Sequence, residues 1–128
     1  MAVDFNGSWK LYEQKNPEEF LRAIAAPEIY IKMMNDVKPV TMIQQNGDEF
    51  TICVKTPLRS NTNSFTIGTE TEFNTMDGKK IKGTARLIDG KVVIESEKFT
   101  HVREIQGEEM IETLSAGNAT LIRRSRRI

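Results

Sequence analysis

The chain has one cysteine, Cys53, so an intramolecular disulfide is excluded, which fits a reducing compartment. It has one histidine, His101, which excludes a histidine-rich metal centre; neither a metal nor a cofactor is expected. Neither sign of charge is in excess. Eighteen Lys and Arg balance 18 Asp and Glu, so the chain as a whole is no magnet for nucleic acid or membrane. Long apolar runs are missing too. The most apolar stretch, Leu21 to Met34, is broken by Pro27, Glu28 and Lys32 and is too short and too charged to span a bilayer. No basic segment precedes an apolar run at the start, so no signal peptide is expected. There is no Gly-rich phosphate loop and no nucleophile elbow. These absences point to a cytoplasmic protein without catalytic motifs. Residues 1–128 are expected to form one domain, large enough for a real core.

Strand signals dominate what is present. Asn46-Gly47, Asp77-Gly78, Asp89-Gly90 and Gln106-Gly107 are turn dipeptides, and Ala116-Gly117-Asn118 is a further turn. Between them lie alternating runs: Val40 to Gln45, Phe50 to Lys55, Asn63 to Ile67, Glu70 to Asn74, Lys80 to Leu87, Lys91 to Ser96, Thr100 to Ile105 and Met110 to Leu114. Gly7 to Gln14 and Thr120 to Arg127 complete ten strands. One segment has helical spacing instead. Asn16 reads as a cap, with Pro17 at the first helical position and Glu18 and Glu19 in the first turn. Phe20, Leu21 and Ile24 form one apolar face. Pro27-Glu28 restarts a second helix through Ile31, Met33 and Met34, ending before Lys38-Pro39. Ten short antiparallel strands with one helical hairpin after the first argue for an all-β sandwich or barrel.

The last strand carries the most informative position. Side chains alternate between faces, so Leu121, Arg123 and Ser125 share one face and Ile122, Arg124 and Arg126 the other. If apolar Leu121 marks the interior, Arg123 points inward. A guanidinium keeps its proton, so a buried one needs an anion or a dense hydrogen-bond shell. On the strand from Thr100, Phe99 and Ile105 carry His101 and Arg103 onto the same face. On the next strand, Met110 and Leu114 flank Glu112. An interior holding Arg103, Arg123, His101 and Glu112 has a net charge of about +1 with neutral His. Pairing one arginine with Glu112 leaves the other for the anion of a mostly apolar ligand. The alternative for each of these residues alone is a solvent-facing side chain; their common phase with apolar neighbours weakens that reading, and the pattern alone leaves both open. For His101, Glu112 favours the charged ring, whereas burial and Arg103 oppose it.

Other candidates are weaker. A Ser125–His101–Glu112 triad has no supporting motif. Cys53 shares a face with Thr51, opposite Phe50, Ile52 and Val54, and reads as an ordinary thiol. The arginine-rich tail raises the alternative of a nucleic-acid-binding barrel, but alternation splits it between two faces. Phe5 and Trp9 read as core. The methionines, including Met33, Met34, Met76 and Met110, suit either core packing or a pocket that adapts to a bulky ligand.

Longer phrases place the chain further. Phe5-Asn-Gly7-Ser-Trp9, Asn16-Pro-Glu-Glu-Phe20, Thr75-Met-Asp-Gly-Lys-Lys80 and Thr120-Leu-Ile-Arg-Arg-Ser-Arg-Arg-Ile128 resemble the intracellular fatty acid-binding protein family over the whole length. Ile43-Gln-Gln-Asn-Gly47, Lys55-Thr-Pro57, Asn61-Thr-Asn-Ser-Phe-Thr-Ile-Gly68 and Met110-Ile-Glu-Thr-Leu114 resemble its basic liver-type, bile acid-binding subgroup. The resemblance implies a ten-stranded up-and-down barrel with a helix-turn-helix lid, a large cavity and no catalysis. It implies a cytoplasmic, monomeric carrier of fatty acids or bile salts, with transient membrane contact through the lid and no nucleic acid partner. The family's carboxylate-binding pattern is an Arg on the eighth strand and Arg-x-Tyr on the tenth. Arg103 and Arg123 match the arginines, and Ser125 stands in place of the tyrosine. The subgroup commonly has glutamine at the Arg103 position, so Arg103 leans toward fatty acid. His101 and Lys79 match cavity positions of the subgroup and lean toward bile salt. The implied lid residues are Phe20, Met33 and Met34, the implied portal residues Met76 and Lys79, and Leu121 and Met110 join the expected lining.

Overall fold

A computed structural model describes residues 4–57, 59–75 and 78–128, without the side chain of residue 35. It contains β1 (Gly7–Lys15), α1 (Pro17–Ala23), α2 (Glu28–Asp36), β2 (Val40–Asn46), β3 (Glu49–Lys55), β4 (Ser60–Thr66) and β5 (Glu70–Asn74). There follow β6 (Lys80–Ile88), β7 (Lys91–Ser96), β8 (Thr100–Gln106), β9 (Glu109–Ala116) and β10 (Ala119–Arg127). All ten expected strands are present. β4 starts three residues earlier than alternation suggested, because the Thr56 amide donates to the Arg59 carbonyl at 2.9 Å, closing a tight hairpin that brings Ser60 opposite Lys55. At Asp89-Gly90 both central residues have positive φ, 52° and 78°, the twist a two-residue antiparallel turn requires.

The strands form one antiparallel sheet in the order β4-β3-β2-β1-β10-β9-β8-β7-β6-β5. β1 makes the closure by pairing with both β2 and β10. β4 and β5, consecutive in sequence, are the two ends of the sheet. Side chains bridge them: Asn61 and Asn63 donate to the Asn74 carbonyl at 2.8 and 3.0 Å, and the Asn74 amide donates to Asn63 Oδ1 at 2.7 Å. The rings of Phe65 and Phe73 meet across the same seam at 5.5 Å. The architecture is thus a nearly closed barrel.

Two apolar clusters fill it. Phe5, Trp9, Phe50, Phe65, Ala85, Val92 and Met110 belong to one; Phe20, Leu21, Ile31, Leu114 and Leu121 belong to the other, beneath the helices. Phe20 and Leu21 of α1 are buried, as their spacing predicted. Asn16 differs from expectation. It makes no side-chain cap but takes a left-handed conformation (φ 62°, ψ 40°), turning the chain from β1 into Pro17 at the helix start. Asparagine tolerates that region; alanine does so poorly. Ala25, between the helices, nevertheless sits at φ 60°. Ala25→Gly should therefore stabilise the fold by about 0.5–1 kcal/mol, the left-handed penalty less glycine's extra unfolded-state entropy. A urea midpoint that rises with an unchanged slope is the expected result.

Candidate functional site

The space between the two clusters is an internal cavity of about 230 Å³. Its wall is mostly apolar, from Phe20, Met33, Met34, Ile52, Phe65 and Leu121 among others. One side is charged. His101 and Arg103 enter from β8, Glu112 from β9 and Arg123 from β10, all on the wall. Register explains the grouping, since Glu112 stands opposite Arg103 on one side and Arg123 on the other.

Glu112 is the hub, buried at 4% exposure. Its Oε1 lies 2.9 Å from His101 Nε2 and 3.4 Å from Arg103 Nε. Arg103, at 7% exposure, is therefore ion-paired within the protein. Arg123 is not. Among the described residues no carboxylate comes within ion-pair distance of it, and its buried Nε has no hydrogen-bond partner. Of the two arginines opposite the single acid, one is ion-paired with it and the other is not.

Burial would by itself raise the Glu112 pKa; Arg103 and the His101 hydrogen bond overcome it and hold the carboxyl well below its ordinary range. For His101 the balance falls the other way. Burial, then Arg103, outweigh Glu112, and the ring pKa is lowered from 6.5 to about 4. The imidazole is neutral at neutral pH. A proton on the unfolded ring near pH 6.5 is refused by the folded one until about pH 4. Stability should fall as pH drops from 6.5 to 4, by up to about 3 kcal/mol, and be insensitive to this ring above that window. Denaturant unfolding at stepped pH checks it, and His101→Gln should remove the slope. Glu112 adds acid sensitivity below about pH 4.5, where carboxyls of the unfolded chain protonate.

The other expected site residues distribute as follows. Phe20, Met33, Met34 and Leu121 line the cavity. Ser125 and Met110 do not. Both are fully buried, at 1% and 0% exposure, and face one another across β9 and β10. Met110 packs in the cluster around Trp9 instead. Lys79 is exposed and is not part of the wall. Met76 lies outside the described residues, as does Asp77 of the expected turn. The triad has no geometry, because His101 bonds Glu112 and Ser125 stays outside the cavity. Sequence reasoning missed Thr41, Asn61 and Asn63 in the wall. Asn61 and Asn63 sit in phase with buried Phe65, which was the available signal.

The arginine tail is spent within the fold. Arg124 Nη1 lies 3.9 Å from Glu109, and Arg126 stacks over Tyr12 at 4.0 Å. Arg127 covers Trp9 at 4.1 Å and pairs with Glu108 at 3.6 Å. Nothing in this arrangement supports a nucleic-acid surface.

A nearly closed barrel with a helical hairpin over a charged-walled apolar cavity defines a ligand-enclosing barrel protein. The chain belongs to the lipocalin / cytosolic fatty-acid binding protein family, whose profile matches residues 1–128. It is 55% identical to the liver fatty acid-binding protein of Schroederichthys bivius over 97% of this chain and 98% of that one. It is 37% identical to zebrafish ileal bile acid-binding protein complexed with cholic acid, covering 97% and 98% of the two chains with a TM-score of 0.84. The REP1-NXSQ fatty acid transporter superposes with a TM-score of 0.94 at 27% identity, over 99% and 98%.

Proposed function

We propose that this protein is a cytoplasmic, non-catalytic carrier that encloses anionic lipids, fatty acids and bile salts, and neutralises their head group on Arg123. The observation that carries the reading is a permanently charged guanidinium on the wall of a mostly apolar cavity, with no carboxylate within ion-pair distance among the described residues. A bound carboxylate or sulfonate supplies the missing anion, and burial of the ligand body, at about 25 cal/mol per Å², supplies most of the affinity. The relatives fit, being fatty acid- and bile acid-binding proteins. The carrier acts as a single-domain monomer and meets membranes transiently through the lid, where Ile29 of α2 is 72% exposed.

A second reading, selectivity for bile salts, draws on two features. Arg103 is occupied by Glu112, and polar Thr41 and Asn61 on the wall suit a ring system with hydroxyls better than an alkyl chain. Calorimetric titration with oleate and with cholate separates the two readings. Binding of both supports the general carrier, and binding of cholate alone supports the selective one. Binding of neither, together with no lipid in an organic extract of the purified protein, overturns both.

A further inference from the structure

β1 contains a register shift. Leu11 stands opposite Ser125, but Glu13 stands opposite Arg124, so Tyr12 is an extra residue with no partner of its own. Such a bulge reverses which residues face inward beyond it. Trp9 and Leu11 face inward before it; Gln14 faces inward after it, directly opposite Arg123. Tyr12 is turned outward to Glu109 and Arg126.

The two ends of the Gln14 amide are in different situations. Nε2 donates to the Met34 carbonyl of α2 at 2.8 Å. Oε1 is buried and has no hydrogen-bond partner. Its register neighbour Arg123 has the complementary defect, a buried Nε–H without an acceptor. Facing residues of an antiparallel pair have Cβ atoms about 5 Å apart, within reach of two such long side chains. Leaving both groups unpaired is costly.

We propose that Gln14 is a positioning residue that couples head-group binding at Arg123 to the seating of α2. This rests on the reading of Arg123 as the anion site. When an anion draws the guanidinium toward the cavity centre, Gln14 Oε1 accepts the Arg123 Nε–H. The guanidinium plane is then fixed with its two Nη groups toward the ligand, the geometry a carboxylate engages bidentately. The same amide holds the Met34 carbonyl, and Met34 lines the cavity from the lid helix α2. Ligand at Arg123 and closure of α2 thus favour one another through one side chain, and by linkage the coupling is reciprocal.

The test is a double-mutant cycle read by titration with oleate and cholate, using Gln14→Leu, Arg123→Ala and both together. Gln14→Asn serves as a second variant, too short to reach Met34 and Arg123 at once. Each Gln14 substitution should weaken binding on the order of tenfold, the scale of one charge-assisted hydrogen bond. In the Arg123→Ala background the same substitutions should have almost no effect. Amide exchange supplies a second readout. Oleate should slow exchange across Glu28–Asp36 in the unsubstituted chain and markedly less in the Gln14 variants. Independent, multiplying losses, or undiminished protection of α2, overturn the coupling and leave the carrier reading intact. Failure of the unsubstituted chain to bind either probe overturns both.

Discussion

Glu112→Ala should lose about 3–5 kcal/mol of folding stability, the scale for removing one partner from a buried ion pair. The carboxylate holds His101 at 2.9 Å and Arg103 at 3.4 Å, and it is the anion within electrostatic reach of Arg123. Neither arginine can shed its charge when the acid is gone. The variant would leave the buried Arg103 guanidinium without its ion-pair partner. Two outcomes separate this cause from mere loss of packing. Glu112→Gln, which keeps volume and a hydrogen bond to His101, should still lose most of the stability. Replacing Arg103 by Met together with Glu112 by Leu should recover most of it, since a well-packed apolar pair of similar volume often does as well as a buried ion pair. Denaturant unfolding measures all three. A loss below about 1 kcal/mol for Glu112→Ala would mean that the cluster is solvated and contributes little, as exposed pairs do.

Arg123→Ala should weaken binding of an anionic lipid by about 1.5–3 kcal/mol, the contribution of a hydrogen bond to a charged group. Arg124→Ala, one residue on, should change binding by almost nothing, because its guanidinium faces outward and pairs with Glu109. The effect on stability should run in the opposite direction. Arg123 has no ion pair among the described residues, so removing it relieves the burial of a charge, and Arg123→Ala should be neutral or slightly stabilising without ligand. A site that weakens binding when lost while leaving the fold no worse is the signature of a residue held for a ligand. Calorimetric titration with oleate and cholate, paired with unfolding of the free protein, reads both quantities. Equal losses of affinity for Arg123→Ala and Arg124→Ala would show that the tenth strand has the opposite phase.

Much of this architecture follows from local chemistry. Alternation with a period of two is a property of the extended backbone, and turn dipeptides mark where it must stop, so ten strands were legible from residues a few positions apart. The inward phase of Arg123 followed from Leu121 two residues before it, and those of Arg103 and Glu112 from Ile105 and Met110. The helical pair followed from Pro17 and the spacing of Phe20, Leu21 and Ile24. The choice between the arginines as the partner of Glu112 had a different origin. Both stand opposite it in register, and only distances across three strands select Arg103. The neutrality of His101 likewise depends on burial, which is set by what the whole barrel packs around the ring. Asn16 was read as a cap from its type, yet the abrupt passage from strand to helix demands a left-handed residue there. Gln14 is the sharpest case. Strict alternation from Trp9 and Leu11 puts it outside; the extra residue at Tyr12 puts it inside, beside Arg123 and under α2. A bulge is a mismatch in length between two paired strands, so only their pairing in three dimensions discloses it.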